Sequence, residues 1–380
     1  MSPRPPRPRA FRYRALAAGL AALLIAGLTA CSPAAPSASA PAPTFPPLSA
    51  LQPVADPRGW DGPSTAVLDT AAIEPVVTDP AQTLPASVVS HDGSGDVPTT
   101  IRDTSRVITM DLAGSLAATV QGLGLGGLLV GRDQSTSFPG VEGLPVVTGS
   151  GHTVNAEKII SLAPTLILTD GSIGPRDVVE QLRDVGITVV FLRNEPSFDG
   201  ASRLARDVAA ALGVPEAGER LAARIADGIA AARAEIQAVA PSDPARKVRM
   251  IFLYVRGSVG IYYLFGAESG ADALISALGG VDVAGEQGWK GMRPMTDEAM
   301  AAADPDLVLV MTHGLASAGG VDALLAEKPA IALTSAGQHR RFVDMDDAQI
   351  LSFGPRSAEV LTALARAVYA PDATPREGSR

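Results

Sequence analysis

The sequence predicts an α/β protein of two lobes joined by one long helix, with a ligand cleft between the lobes. Three observations carry that expectation. Beyond residue 100, short β-rich runs alternate with amphipathic helical stretches; one helix–turn–strand pattern occurs twice at the same offsets; and a proline-free run of helix formers separates the two copies.

The expected strands lie at 107–110, 128–130, 165–169, 188–192, 248–253, 307–311 and 348–351. Between them, 112–123, 156–162 and 270–278 carry apolar residues at helical spacing. Strands that alternate with helices in this way form parallel layers, so each lobe is expected to be Rossmann-like.

The repeat begins at Asn155-Ala156-Glu157, with Pro164 seven residues after the glutamate and Leu166-Ile167-Leu168 after the proline. Its second copy runs from Thr296-Asp297-Glu298 to Pro305 and Leu307-Val308-Leu309, again with seven residues from glutamate to proline. Each copy reads as a short helix with an acid in its first turn, a proline-marked turn and a buried strand. Between the copies, 216–239 is a helical run broken only by Gly218 and Gly228, with Leu221, Ile225, Ile229 and Ile236 along one face.

Composition narrows the function. The chain has 380 residues, 31 Lys and Arg against 40 Asp and Glu, and a formal charge of −9. Five of the bases (Arg4, Arg7, Arg9, Arg12 and Arg14) fall in the first 30 residues, which hold no acid, so the remainder is more acidic still. A surface of that sign repels phosphate backbones, and nucleic acid is not an expected partner.

The N-terminus reads as an export leader over 1–30: a basic start, an apolar run over 15–27 and a small-residue junction at Leu28-Thr29-Ala30. Cys31, the one cysteine in the chain, follows at once. From 32 to 98, Pro, Ala, Ser and Thr dominate, which predicts a disordered spacer in which His91 is solvated. The expected organisation is therefore a leader (1–30), an N-terminus and spacer (31–98), a first lobe (99–200), connecting helices (201–243), a second lobe (244–371) and a tail (372–380).

Three segments carry candidate chemistry. In Gly149-Ser150-Gly151-His152, a histidine among glycines sits on a loop that faces the cleft or simply solvent. Tyr254 and Arg256 follow the expected strand 248–253, where ligands of α/β sheets bind, and a spacing of two projects them to one side. A cation near a phenol favours the ionised form, a hard oxygen ligand for ferric iron; an ordinary exposed pair is the alternative. Met311 ends the strand 307–311 and His313 follows it by two residues, Met311 as core or ligand and His313 as a rival to His152. The glycines Gly122, Gly124 and Gly126 only loosely resemble a dinucleotide loop and read as turn chemistry.

Leu28-Thr29-Ala30-Cys31 resembles the bacterial lipobox, which implies lipidation of Cys31 and anchoring outside the cell membrane. The two lobes, the Gly-Ser-Gly-His loop and the Tyr-Val-Arg step resemble the HmuT-type haemin-binding lipoproteins, class III substrate-binding proteins of ABC haem importers, over roughly 100–370. The resemblance implies ferric haem b as transported ligand, with His152 and Tyr254 as its axial ligands and Arg256 hydrogen-bonded to the phenolate. It implies an ABC permease and ATPase as partners, with Glu157 and Glu298 docking one lobe each. Trp289 and Met292 are further candidate porphyrin contacts beside Met311 and His313; Tyr262, Tyr263 and Phe265 wall a pocket or fill the second lobe. A ferric siderophore or corrinoid is the alternative ligand. A bare metal ion lacks a ligand cluster, and no nucleophile–base arrangement or catalytic cofactor motif points to an enzyme.

Overall fold

The computed structural model describes residues 45–93 and 95–374. The leader, Cys31 and the residues after 374 lie outside it. The spacer expected over 31–98 is corrected from residue 45 onward, where the chain is folded. Leu48 is fully buried in a short 3₁₀ turn. β1 (Ser64–Ala66) joins a sheet edge, and β2 (Ala86–Asp92) and β3 (Gly95–Ile101) form a hairpin. His91 is on β2, its Nδ1 2.6 Å from Asp96, rather than free in solvent.

This segment is ordered by distant partners that composition does not display. β1 runs parallel to a strand 279 residues away, from Ser64 to Val343. Arg341, buried, donates to Ser64 Oγ at 2.8 Å and to the carbonyls of Ala367 and Val368. Further on, Val76 N donates to Gly122 O and Thr83 N to Gly213 O, both at 2.8 Å. The hairpin then seats on the first lobe, where Ser90 Oγ accepts from Phe191 N and Asp92 pairs with Arg183. The chain thus straps the back of both lobes. Gly124 serves that strap: at φ +86° it passes under the segment, and a Cβ there would overlap the Val77 carbonyl oxygen.

The first lobe is a four-stranded parallel sheet. β4 (Val107–Met110), β5 (Leu129–Arg132), β6 (Leu166–Thr169) and β7 (Thr188–Phe191) lie in the order β5-β4-β6-β7. β4 and β6 are buried on both faces, as near-continuous apolar runs in a covered parallel sheet must be. The connection follows through Phe198–Ala211 and the 25-residue helix Pro215–Val239, which begins on a proline at its first turn. Leu221, Ile225, Ile229 and Ile236 are its buried stripe. Gly218 is required there, because a Cβ would come within 2.5 Å of Ala209 Cβ on the crossing helix.

The second lobe contains β8 (Arg249–Arg256), β9 (Ile261–Phe265), β10 (Val281–Asp282), β11 (Met292–Pro294), β12 (Leu307–Met311) and β13 (Phe342–Met345). Its sheet order is β1-β13-β12-β8-β9-β11, with β10 beside the start of β8. β13, β12 and β8 are parallel, while β9 returns antiparallel to β8 and β11 in turn pairs antiparallel with β9. The strand expected at 348–351 is instead a turn whose Ile350 is buried, and the true strand lies earlier, at Phe342–Met345. A short apolar run does not by itself separate strand from packed turn.

The repeat is structural as well as sequential. Asn155 caps Ala156–Ser161 by accepting from Lys158 N at 2.9 Å, and Thr296 caps Asp297–Ala303 by accepting from Ala299 N at 3.1 Å. Ala163 (φ 44°) and Asp304 (φ 36°) then make equivalent left-handed turns before Pro164 and Pro305. Two α/β lobes with a joining helix are therefore the architecture, as predicted. One core is shared by the inner sheet faces and the joining helices, and each lobe has a second core on its outer face.

Candidate ligand-binding site

The C-terminal ends of the parallel strands converge where α/β sheets bind ligands. Tyr254 and Arg256 lie inside β8 rather than after it, because pairing with β9 carries the strand on to Arg256. The spacing of two does place them on one face. The Arg256 guanidinium carbon is 4.5 Å from the centre of the Tyr254 ring, and Phe265 stacks on the same ring at 6.0 Å and 14°.

That face is mostly apolar. Tyr263 is directly opposite Tyr254, Ile261 opposite Arg256, and Met292 opposite Phe265, and residues paired across antiparallel strands share a face. Met292 is 63% exposed there, a large apolar side chain left open beside the stacked rings. Tyr262 and Trp289 are on the other side: both pack with the outer core, where Tyr262 donates to Glu327 at 3.0 Å and Arg293 lies over Trp289. The structure therefore does not bring Trp289 to Tyr254, since alternation along β9 turns its neighbours outward.

Met311 is half-buried at the end of β12 and packs against the shared core with Tyr254 and Tyr263. His313, in the first turn of Thr312–Ser317, has its side chain 76% exposed. Asp347, two residues past β13, joins His313 to Arg256. Its Oδ2 is 3.1 Å from Arg256 Nη2, and its Oδ1 accepts from His313 N at 2.9 Å.

From the first lobe comes His152. Its loop is closed by Gly149 N donating to Thr153 O at 2.7 Å and turns through two left-handed residues, Gly151 (φ 67°) and His152 itself (φ 61°). A non-glycine residue held so costs about 1 kcal/mol and is typical of functional loops. Among the described residues, His152 Nδ1 is buried without a hydrogen-bond partner, while the ring as a whole is only half-buried. Burial lowers the His152 pKa, and the positive charge of Arg256 lowers it further. Both effects favour the neutral imidazole, the form able to offer a lone pair to a metal.

The sequence reading missed three acids at the strand ends of the first lobe: Asp111 after β4, Asp133 after β5 and Asp170 after β6. The signal was an aspartate directly following each apolar run. Asp111 and Asp133 are buried and tie loops rather than face ligand. Asp111 accepts from Ser115 N and Leu116 N, and Asp133 from Asp111 N and Thr136 N. Burial, with Asp133 and Asp170 close by, raises Asp111 well above the usual carboxylate range, and burial pushes Asp133 up to about 6.

Glu157 and Glu298 are exposed in the first turns of the two capped helices. Each helix runs back against the strand that follows it, so both acids lie toward the ligand edge of their lobes. Among the described residues, no group of three or more His, Cys, Asp or Glu could hold a metal ion, and no helix is long and apolar enough to cross a membrane.

A periplasmic binding protein family model matches residues 112–349. The heme binding protein HmuT superposes with a TM-score of 0.77 at 38% identity, covering 83% of this chain and 99% of that one. HmuT has also been solved with alanine in place of an arginine, a tyrosine or a histidine. The periplasmic heme-binding protein RhuT from Roseiflexus sp. RS-1 superposes with a TM-score of 0.63 at 36% identity, over 71% of this chain and 99% of RhuT. The ABC transporter substrate-binding lipoprotein YvrC of Bacillus subtilis (strain 168) is 27% identical over 285 residues, 74% of this chain and 85% of YvrC. With its two α/β lobes joined by a long helix, the chain belongs to the periplasmic binding protein family, and within it to the HmuT-type members.

Proposed function

We propose that this protein captures ferric haem b outside the cytoplasm and delivers it to an ABC permease for iron acquisition. The iron is held between His152 of the first lobe and Tyr254 of the second. The observation that carries this reading is Arg256, whose guanidinium lies over the Tyr254 ring of the second lobe and whose charge lowers the pKa of the half-buried His152 of the first. A neutral imidazole and a phenol beside a cation supply the two kinds of axial donor that ferric haem accepts. Phe265, Tyr263 and Met292 give the second lobe an apolar face for a flat macrocycle.

The solved HmuT variants support the choice of residues: the replaced tyrosine and arginine are two positions apart, as Tyr254 and Arg256 are. Glu157 and Glu298, one per lobe, suit a two-fold permease. Lipidation of Cys31 would hold the protein at the membrane.

The test is a haemin titration followed by visible absorption. The parent protein is expected to shift the Soret band in a saturable way, and His152→Ala and Tyr254→Phe each to change the bound spectrum. Saturable binding with identical spectra in all three would move the ligand to another site or another class, such as a corrinoid.

A further inference from the structure

Arg256 is within reach of Tyr254, yet part of its guanidinium is engaged elsewhere. Nη1 donates to Val255 O at 2.8 Å and Nη2 pairs with Asp347 at 3.1 Å, while the guanidinium carbon stands 4.5 Å from the ring centre. The position is built rather than incidental. A Cβ on Gly314 would lie 3.0 Å from Nη1 and 2.8 Å from Val255 O, so only glycine leaves room for the guanidinium here. Asp347 is in turn fixed by His313 N at 2.9 Å.

We infer that Asp347 is a positioning residue that pairs with Arg256 over the Tyr254 ring, competes with an iron-bound phenolate for the same cation, and so limits how firmly that phenolate is held. This rests on the haem reading above. A carboxylate at salt-bridge distance competes with a phenolate for the same cation. While the pair persists, the carboxylate of Asp347 takes up part of the cation's charge and one of its donors, leaving less of both for the phenolate. Loading then requires an exchange of partners, in which Arg256 leaves Asp347 for the phenolate. Release reverses it, with Asp347 ready to take the cation back. Asp347 stands as a release element in a receptor that must let its cargo go.

The charged and titratable groups facing this cluster are His313 from Thr312–Ser317, Tyr254 on the same strand as Arg256, and His152 from the first lobe. Asp346, next in the chain, acts on Arg356.

Asp347→Asn keeps the shape and an acceptor for His313 N while removing the competing charge. Haemin loss to excess apomyoglobin is expected to slow by roughly threefold or more. Acid release should also move to lower pH, and Asp347→Glu should restore parental behaviour. In the ligand-free protein, the tyrosine absorbance titration, taken as the difference from Tyr254→Phe, should set in at lower pH with Asp347→Asn. Unchanged or faster haemin loss, with an unmoved tyrosine titration, overturns the inference. If the parent protein takes up no haemin, the haem reading falls, and the ligand-free titration still decides whether Asp347 controls Arg256.

Discussion

Arg256 lies over the ring of Tyr254, its guanidinium carbon 4.5 Å from the ring centre, and its charge also bears on His152 from the opposite lobe. That charge favours the neutral form of His152, the form ferric iron binds. Replacing it with alanine should weaken that preference and remove the cation beside the phenol. Arg256→Ala is expected to release haemin at higher pH than the parent, read as the acid midpoint of the Soret band. Coincident acid titrations would contradict that role.

Protonation of His152 competes with iron. Its pKa is lowered by burial and by Arg256, so the lone pair is available at neutral pH and is lost only as the medium falls below the ordinary histidine range. His152→Ala should remove that part of the acid sensitivity and change the coordination seen by electron paramagnetic resonance, while Tyr254 still holds the iron. His313→Ala, at a side chain 76% exposed, should leave both unchanged.

The acids of the first lobe give a pH signature of stability. Asp133 keeps its proton up to about 6 in the folded state against an ordinary 3.8, so its contribution is full below 3.8 and is lost as pH rises through 6. The loss is on the order of 3 kcal/mol at most. Urea unfolding of the ligand-free protein should show lower stability at pH 7.5 than at pH 5, and Asp133→Asn should flatten that trend. A parent profile rising with pH across 6 would contradict it.

The N-terminal strap is part of the fold. Gly124→Ala places a methyl group against the Val77 carbonyl at a left-handed position and is expected to destabilise by about 2–4 kcal/mol, read by thermal unfolding. An unchanged melting temperature would mean that the segment does not pack there in solution.

Glu157 and Glu298 separate capture from delivery. Charge reversal of both, Glu157→Lys with Glu298→Lys, should leave haemin binding intact and abolish uptake by cells carrying the importer. Both caps, Asn155 and Thr296, survive the change. Undiminished uptake would remove these acids from the docking surface.

Much of this was legible in the sequence where the signal was local. β4 and β12 are largely apolar runs with matching bounds, the cap–glutamate–proline pattern marks both lobes, and the Tyr-Val-Arg spacing places two side chains on one face. What was not legible depends on distant partners. β1 is ordered by β13 and Arg341, so its own Ser-Thr-Ala says nothing. Asp347 was hidden because the strand before it was expected at 348–351. His152 and His313 read alike as histidines beside glycine, and burial alone tells them apart.

The central claim is that one iron is gripped by both lobes. Anomalous diffraction at the iron edge, from crystals of the haemin-loaded protein, tests it most directly. A single iron peak is expected between His152 Nε2 and Tyr254 Oη, with Arg256 turned from Asp347 to the phenolate. An iron peak bonded to neither side chain would contradict it.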